Sequence, residues 1–272
     1  MKTKLIKGLS EIQSKYDTFL IDLWGVVHNG VELYPKAINV LENLNKLNKR
    51  FVLISNAPRP SNSVEKYLIS LNMGKKFLKN LFTSGEAALQ TLKNNTYGKK
   101  FYHLGPERDK DLIKGLEKNN TSLEKCDFIL CTGLFDNKIA TLKYYENLLK
   151  KYTNLKMLCT NPDLIVHRGA ITEYCAGSLA AVFEKLGGKV IYFGKPYPDI
   201  YNFCVKKNES ILAIGDNIRT DIRGANKMKF DSLLIIDGIH KKEFSNTAIE
   251  NYDKVLSKYE TETKYYQESL SW

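Results

Sequence analysis

Short apolar runs alternate along this chain with longer stretches of helical periodicity. Phe19-Leu20-Ile21 runs into Asp22, and Phe51-Val52-Leu53-Ile54 into Ser55-Asn56. Val190-Ile191-Tyr192-Phe193 runs into Gly194-Lys195-Pro196, and Ile211-Leu212-Ala213-Ile214 into Gly215-Asp216. Continuous apolar runs of this length, bounded by small or polar residues, read as buried strands. Between the first two, Pro35 to Lys49 carries Ala37, Ile38, Leu41, Leu44 and Leu47 at helical spacing behind an N-terminal proline. A second helix is predicted over Tyr174–Leu186, closed by Gly187-Gly188, and a third ends at Asn226–Phe230 before a strand at Ser232–Ile236. Strands separated by helices predict an α/β fold with a parallel sheet. Ligands of such sheets bind beyond the carboxyl ends of the strands, so the four tips are expected to converge.

The second and third runs are about 130 residues apart, enough for a domain of its own. That stretch has strand signals at Phe101–Leu104, Phe128–Cys131 and Lys156–Cys159, and a helix signal over Ile139–Lys151. The expected organisation is a discontinuous domain, residues 1–57 with 176–272, interrupted by an inserted domain at 58–175. Ala57-Pro58-Arg59-Pro60 marks the exit, and the return lies within Asn161–Ala176. The tail from His240 to Trp272 is polar, carries Tyr265-Tyr266, and is expected to close in an amphipathic helix.

Composition narrows the function classes. Of the 272 residues 43% are hydrophobic, enough for a core. No run reaches the roughly 18 apolar residues of a membrane span. Met1–Asp17 lacks the apolar stretch of a secretory signal. The five cysteines are odd in number, dispersed and never in a CxxC pair, which points to reduced thiols in a cytoplasm rather than to disulfides or zinc. The formal charge is +11, but the lysines are scattered in short pairs such as Lys75-Lys76 and Lys206-Lys207. That reads as a solvated surface and not as a nucleic-acid site, while still helping to draw in an anionic substrate.

Chemistry gathers at the strand tips. A carboxylate such as Asp22 can attack phosphorus and split one hard hydrolysis into two easier steps. A lone Asp after a strand would ordinarily be a helix cap, and it is the motif resemblance given below that reverses this preference. Asp216 and Asp221 bring two more carboxylates to the same edge, where they repel unless a cation sits among them. Mg2+ suits such oxygen ligands. Asp221 equally suits capping of the helix that starts at Ile222. Lys195 and the Ser55 hydroxyl supply positive charge and a donor for phosphoryl oxygens, the part of phosphoryl transfer where most catalysis arises.

Asp22-Leu23-Trp24-Gly25-Val26, Ile54-Ser55-Asn56, Gly194-Lys195-Pro196 and Gly215-Asp216-Asn217-Ile218-Arg219-Thr220-Asp221 resemble the four ordered motifs of the haloacid dehalogenase (HAD) superfamily. The insertion between the second and third resembles its class IIA, C2-capped branch of 4-nitrophenylphosphatase-like and nucleotidase-like enzymes. The resemblance implies a three-layer α/β/α Rossmann-like core with a smaller inserted α/β cap. It implies Mg2+-dependent hydrolysis of a small phosphorylated metabolite through an aspartyl-phosphate at Asp22. Lys195 and Ser55 would assist catalysis, and Asp22, Asp216 and the backbone carbonyl of Trp24 would bind the metal. Asp221 would hold a metal-bound water or brace the loop. Asn56, Ser55 and Lys195 would contact the phosphoryl group. Asn161-Pro162-Asp163 resembles a signature at the cap–core junction, with Asp163 facing substrate; Arg59 and His167-Arg168 are candidates for an anionic substrate group. Thr132-Gly133 and Ser84-Gly85-Glu86 are loop signals that turn chemistry alone would explain. Relatives of this branch often pair through their caps, which leaves a homodimer open.

One position departs from the pattern. Phosphatases of the superfamily carry a second Asp two residues after the nucleophile, to protonate the leaving group and activate water. Here it is Trp24, whose indole has no useful pKa. General acid–base catalysis is worth about 10²–10⁴-fold, about 3–5 kcal/mol of barrier. His28 is one candidate to replace it, bracing of the loop being its plainer role. The dehalogenases of the superfamily tolerate an aromatic here but lack the acids matching Asp216 and Asp221, which favours phosphate over carbon–halogen chemistry. The alternative is a catalytically weak HAD-fold protein that binds a phosphorylated ligand in a regulatory role.

Overall fold

A computed structural model describes residues 3–136, 141–169 and 171–272. Among the described residues the strands are β1 (Lys4–Leu5), β2 (Thr18–Asp22), β3 (Arg50–Ser55), β4 (Leu81–Thr83), β5 (Phe101–Leu104), β6 (Phe128–Cys131), β7 (Lys156–Cys159), β8 (Ile165–Arg168), β9 (Ile171–Tyr174), β10 (Lys189–Tyr192), β11 (Ile211–Gly215), β12 (Asp231–Ile235) and β13 (Tyr265–Gln267). Seven form a sheet in the order β1-β13-β12-β11-β2-β3-β4, four form a smaller sheet in the order β10-β7-β6-β5, and β8-β9 is a hairpin. Pairing is parallel throughout both sheets and antiparallel in the hairpin.

The layering follows from side-chain alternation. Successive residues of a strand face opposite sides of the sheet. Phe19 and Ile21 therefore pack with Leu53, Leu212 and Ile214 on one face, under Val40, Leu41 and Leu44 of the helix Pro35–Lys46. Leu20, Val52, Ile54 and Ala213 pack on the other, against Ile200, Tyr201 and Ala225. Each fully buried Leu or Val contributes about 1.5–3 kcal/mol. The result is a three-layer, Rossmann-like parallel core with a smaller α/β cap carried on the second sheet. No helix among the described residues is long and apolar enough to cross a membrane.

Several elements differ from expectation. The run at Val190–Phe193 is not a strand of the large sheet: β10 is the edge of the small one, with Val190 opposite Met157. Apolar character gives burial but not the identity of the neighbour. Leu81–Thr83, inside the stretch read as insertion, pairs with β3 in the large sheet. The second helix runs from Ala176 to Lys185, because Tyr174 ends β9. In the predicted helix over 139–151 the observed span is Leu142–Leu149, and 139 and 140 lie outside the described residues. The C-terminal tail closes in a strand, not an amphipathic helix. Tyr265 and Tyr266 are buried in β13 between β1 and β12, as β-favouring aromatics packed on a sheet.

Candidate active site

The ends of β2, β3 and β11 bring Asp22, Ser55 and Asp216 to one edge, and the segment after β10 delivers Lys195 there. Beyond β2 the chain turns at Gly25, whose φ of 85° suits glycine. A Cβ there would stand 2.2 Å from Asp216 Oδ2, so the first loop can lie against the acid only without a side chain. Beyond β11 a π-helical turn, Ile218–Ile222, carries Asp221 back toward the strand end. Asp221 Oδ2 accepts from Asn217 N at 3.1 Å, so its loop-bracing role is present.

Asp22, Asp216, Asp221 and Lys195 are all buried. Lys195 Nζ donates to Asp22 Oδ1, to Asp221 Oδ1 at 2.7 Å, and to the Ile54 carbonyl at 3.4 Å. Its backbone is held on both sides by one amide: Lys195 N donates to Asn56 Oδ1 at 2.7 Å, and Asn56 Nδ2 donates to the Lys195 carbonyl at 3.1 Å. Asn56 thus spends its side chain on positioning the lysine. Ile239 N donates to Asp216 Oδ2 at 2.8 Å.

One carboxylate oxygen from each of Asp22, Asp216 and Asp221 lies within 4.8 Å of the others. Mg2+ with oxygen at about 2.1 Å would separate opposite ligands by about 4.2 Å, so the donor set fits this ion in size and in chemistry. The electrostatics agree. Burial pushes Asp22 well above the usual carboxylate range, with Asp221 and Asp216 adding to it against the pull of Lys195. Burial, with repulsion from Asp221, pushes Asp216 up to about 7. Burial alone would lower the Lys195 ammonium, but Asp22, Asp221 and Asp163 together hold it well above its ordinary value. The cluster carries more negative charge than one lysine balances.

These residues floor a cavity of about 670 Å³ whose far wall is the cap, including Arg108, Asp109, Thr132, Gly133 and the β8–β9 hairpin. Asp163, just before the hairpin, accepts from Asn217 Nδ2 at 3.1 Å and is pushed up to about 6 by burial. It thus ties the start of the hairpin to the loop after β11. Arg59 and His167-Arg168 also line the cavity. Ser84 lies behind the wall, donating to the Thr160 carbonyl at 2.6 Å, and Ser84-Gly85-Glu86 is the first turn of the helix Ser84–Lys93, capped by Thr83.

Trp24 is committed elsewhere than to proton transfer. Its Nε1 donates to the His167 carbonyl at 2.8 Å, and the Arg168 guanidinium lies 5.0 Å from its ring. Gly30 passes under the indole so closely that a Cβ would sit 2.4 Å from it. Trp24 therefore joins the loop after β2 to the β8–β9 hairpin. His28 is buried and braces its own loop. Its Nδ1 accepts from Gly30 N at 3.0 Å, and burial, with Arg168 and Arg59, lowers it to about 4. Its lowered value favours the neutral imidazole, which suits the loop-bracing contact.

A family model of haloacid dehalogenase-like hydrolases matches residues 19–118, and a second HAD-hydrolase-like model matches residues 192–261. Together they bracket the tips just described. The chain is a haloacid dehalogenase-like hydrolase. A hydrolase of the same haloacid dehalogenase-like family from Brucella suis 1330 is 28% identical in sequence, with a TM-score of 0.84 over 98% of this chain and 100% of that one. The 5'-nucleotidase YutF of Bacillus subtilis (strain 168) is 25% identical over 245 residues, 86% of this chain and 93% of the relative. The ribonucleotide monophosphatase NagD of Escherichia coli (strain K12) is 34% identical over 89 residues, 31% of this chain and 34% of the relative. This HAD hydrolase belongs with the C2-capped class IIA branch, and its carboxylate cluster is consistent with a Mg2+ site.

The sequence reading missed Tyr67, Arg108, Asp109 and Glu173, which line the same cavity. The one signal for Asp109 was the turn pair Gly105-Pro106 directly after a predicted strand; Glu173 sits on a hairpin whose pattern gave none.

Proposed function

We propose that this enzyme hydrolyses a small phosphorylated metabolite through an aspartyl-phosphate on Asp22, and that it expels the leaving group without a general acid. The observation that carries this reading is the double ion pair of Lys195 with Asp22 and Asp221 inside a three-carboxylate cluster. In the attack, one Asp22 oxygen bonds to phosphorus and the ester oxygen departs with its electron pair. Water then attacks phosphorus and frees Asp22. Lys195 neutralises charge on the nucleophile and phosphoryl oxygens, and Ser55 donates to the phosphoryl group. Asp22, Asp216, Asp221 and the Trp24 carbonyl would hold Mg2+, which supplies positive charge beside the phosphoryl oxygens. Asn56 acts by fixing Lys195, and Asp163 and Arg59 face the substrate.

The sheet membership of β4 and β10 leads us to draw the cap as residues 84–193 and the core as the remainder. The five free cysteines support a reducing, cytoplasmic setting. Pairing through the cap remains part of the proposal, checked by sedimentation.

The test is phosphate release from aryl and alkyl phosphates with Mg2+. A steep fall in rate as leaving-group pKa rises supports departure without an acid; a flat dependence overturns it. Commitment of the Trp24 indole to the cap favours a second reading, a binding protein without turnover. That reading wins if phosphorylated ligands bind with Mg2+ and no member of the panel is hydrolysed.

A further inference from the structure

Away from the carboxylates, the cavity wall carries Arg59, Arg108 and Arg168. Their partners are few. Arg168 Nε donates to Glu173 Oε1 at 2.9 Å. Arg108 approaches the other oxygen of the same Glu173 only to 3.6 Å. Arg59 Nε stands 3.6 Å from Asp109 Oδ1, beyond hydrogen-bond reach. That nitrogen is buried and has no hydrogen-bond partner. Among the described residues neither Arg59 nor Arg108 donates a side-chain hydrogen bond, and two carboxylates serve three guanidiniums.

Arg59 is nonetheless held in place. Its guanidinium lies 5.7 Å from the Tyr67 ring, and the Tyr67 hydroxyl donates to the Gly30 carbonyl at 2.8 Å. A buried donor left unpaired on a fixed side chain marks a position that an incoming acceptor would complete. The guanidinium fork matches the oxygens of a carboxylate or a phosphate. Asp109 and Glu173 balance the charge while no ligand is bound, at distances that leave the donors free.

We propose that the cavity takes a substrate with two anionic groups: the phosphoryl that reacts at Asp22, and a second oxyanion held by Arg59 and Arg108. The assignment of the reacting end rests on the phosphatase reading above; the second site does not require turnover. The cavity, about 670 Å³, is of the size that takes a small-molecule ligand.

Calorimetric titration of the full chain with Mg2+ tests this. The probes are alkylphosphonates, phosphonoalkanoates of two to five methylenes, and the matching alkylene bisphosphonates. At least one two-headed probe is expected to bind about tenfold tighter than the alkylphosphonate of equal length. That advantage is expected to vanish in Arg59→Gln and in Arg108→Gln, and to fall only partly in Arg59→Lys, which keeps charge but loses the fork. Whether the carboxylate or the bisphosphonate series gains more identifies the oxyanion. The exposed Arg108 side chain keeps the test sound if Arg59→Gln fails to fold. The proposal is overturned if no length shows an advantage, if the advantage survives both substitutions, or if no probe binds. Hydrolysis of 4-nitrophenyl phosphate without any two-headed advantage would sink this proposal alone. Arginine-dependent binding without hydrolysis of any phosphate would sink only the phosphatase reading.

Discussion

The two ends of the cavity are built differently. At the Asp22 end, Lys195 satisfies two carboxylates and a carbonyl at once, and Asn56 locks its backbone from both sides. At the cap end, Arg59 and Arg108 stand 3.6 Å from carboxylates they do not reach, and the hairpin meets the loop after β2 through the Trp24 indole and the bond from Gly169 N to the Asn29 carbonyl. The first end is made by strand tips, whose positions the sheet fixes. The second is made by loops and a hairpin, whose positions depend on what they touch. On the proposed reading, chemistry is set where the sheet fixes the backbone, and selection among substrates falls to the wall built from loops and the hairpin.

The sharpest way to break that contrast is at the wired end. Asp22→Asn is expected to reduce phosphate release by about 10³-fold or more for every leaving group, since the nucleophile has no substitute. An aryl phosphate assay with Mg2+ reads this directly; retained turnover would remove Asp22 from the role. Next in size is the boundary between the ends. Trp24→Asp should raise turnover of alkyl phosphates by up to about 10²-fold while changing aryl phosphates little, because an acid helps only a poor leaving group. The same change removes the indole bond to the hairpin and should lower stability by about 1 kcal/mol. No gain on alkyl substrates would mean that the hairpin contact, not proton supply, governs this position.

A smaller effect concerns the carboxylate cluster. Relief of repulsion among Asp22, Asp216 and Asp221 should make Mg2+ stabilising, by about 2.7 kcal/mol at a hundred times its dissociation constant. Thermal unfolding with and without chelator measures it, and the shift should shrink in Asp216→Asn. The smallest effect belongs to the cap. His103, buried and 2.9 Å from Thr132 Oγ1, is lowered to about 4 by burial, below its ordinary 6.5. The unfolded chain then takes up a proton that the folded one refuses. Stability should be full above about pH 6.5 and fall as pH drops toward 4. His103→Gln should flatten that slope in acid unfolding curves; an unchanged slope would assign the acid sensitivity to other groups.

The wired end was legible in the sequence because it is local. A buried parallel strand is a continuous apolar run, and the residue after it lands at the sheet edge; that argument alone found Asp22, Ser55, Lys195 and Asp216. It found Lys195 although it put the strand before it in the wrong sheet, since a tip can reach the site from either. The other end was legible only in part: Arg59, Asp163 and His167-Arg168 were named and line the cavity, while Arg108, Asp109 and Glu173 were not. Ile165-Val166-His167-Arg168 is half-exposed and carries no clean alternation. The approach of Arg108 to Glu173, or the isolation of Arg59 Nε, arises only when segments far apart in sequence meet. Tyr265-Tyr266 hid in a polar tail because its sheet partners are β1 and β12 and not its neighbours in sequence.

The attachment of Lys195 limits how this enzyme can be rebuilt. The lysine follows three residues after β10, the edge strand of the cap sheet, yet its ammonium belongs to the core. An exchange of caps between relatives, cut at the end of the insertion, would cut through the support of the lysine that pairs with Asp22 and Asp221. A slip of one residue in the pairing of β10 with β7 moves the chain about 3.3 Å and turns every side chain to the opposite face. Either change takes the ammonium out of reach of Asp22. The cap can be varied freely at its loops, but its last strand has to be inherited in register with the core.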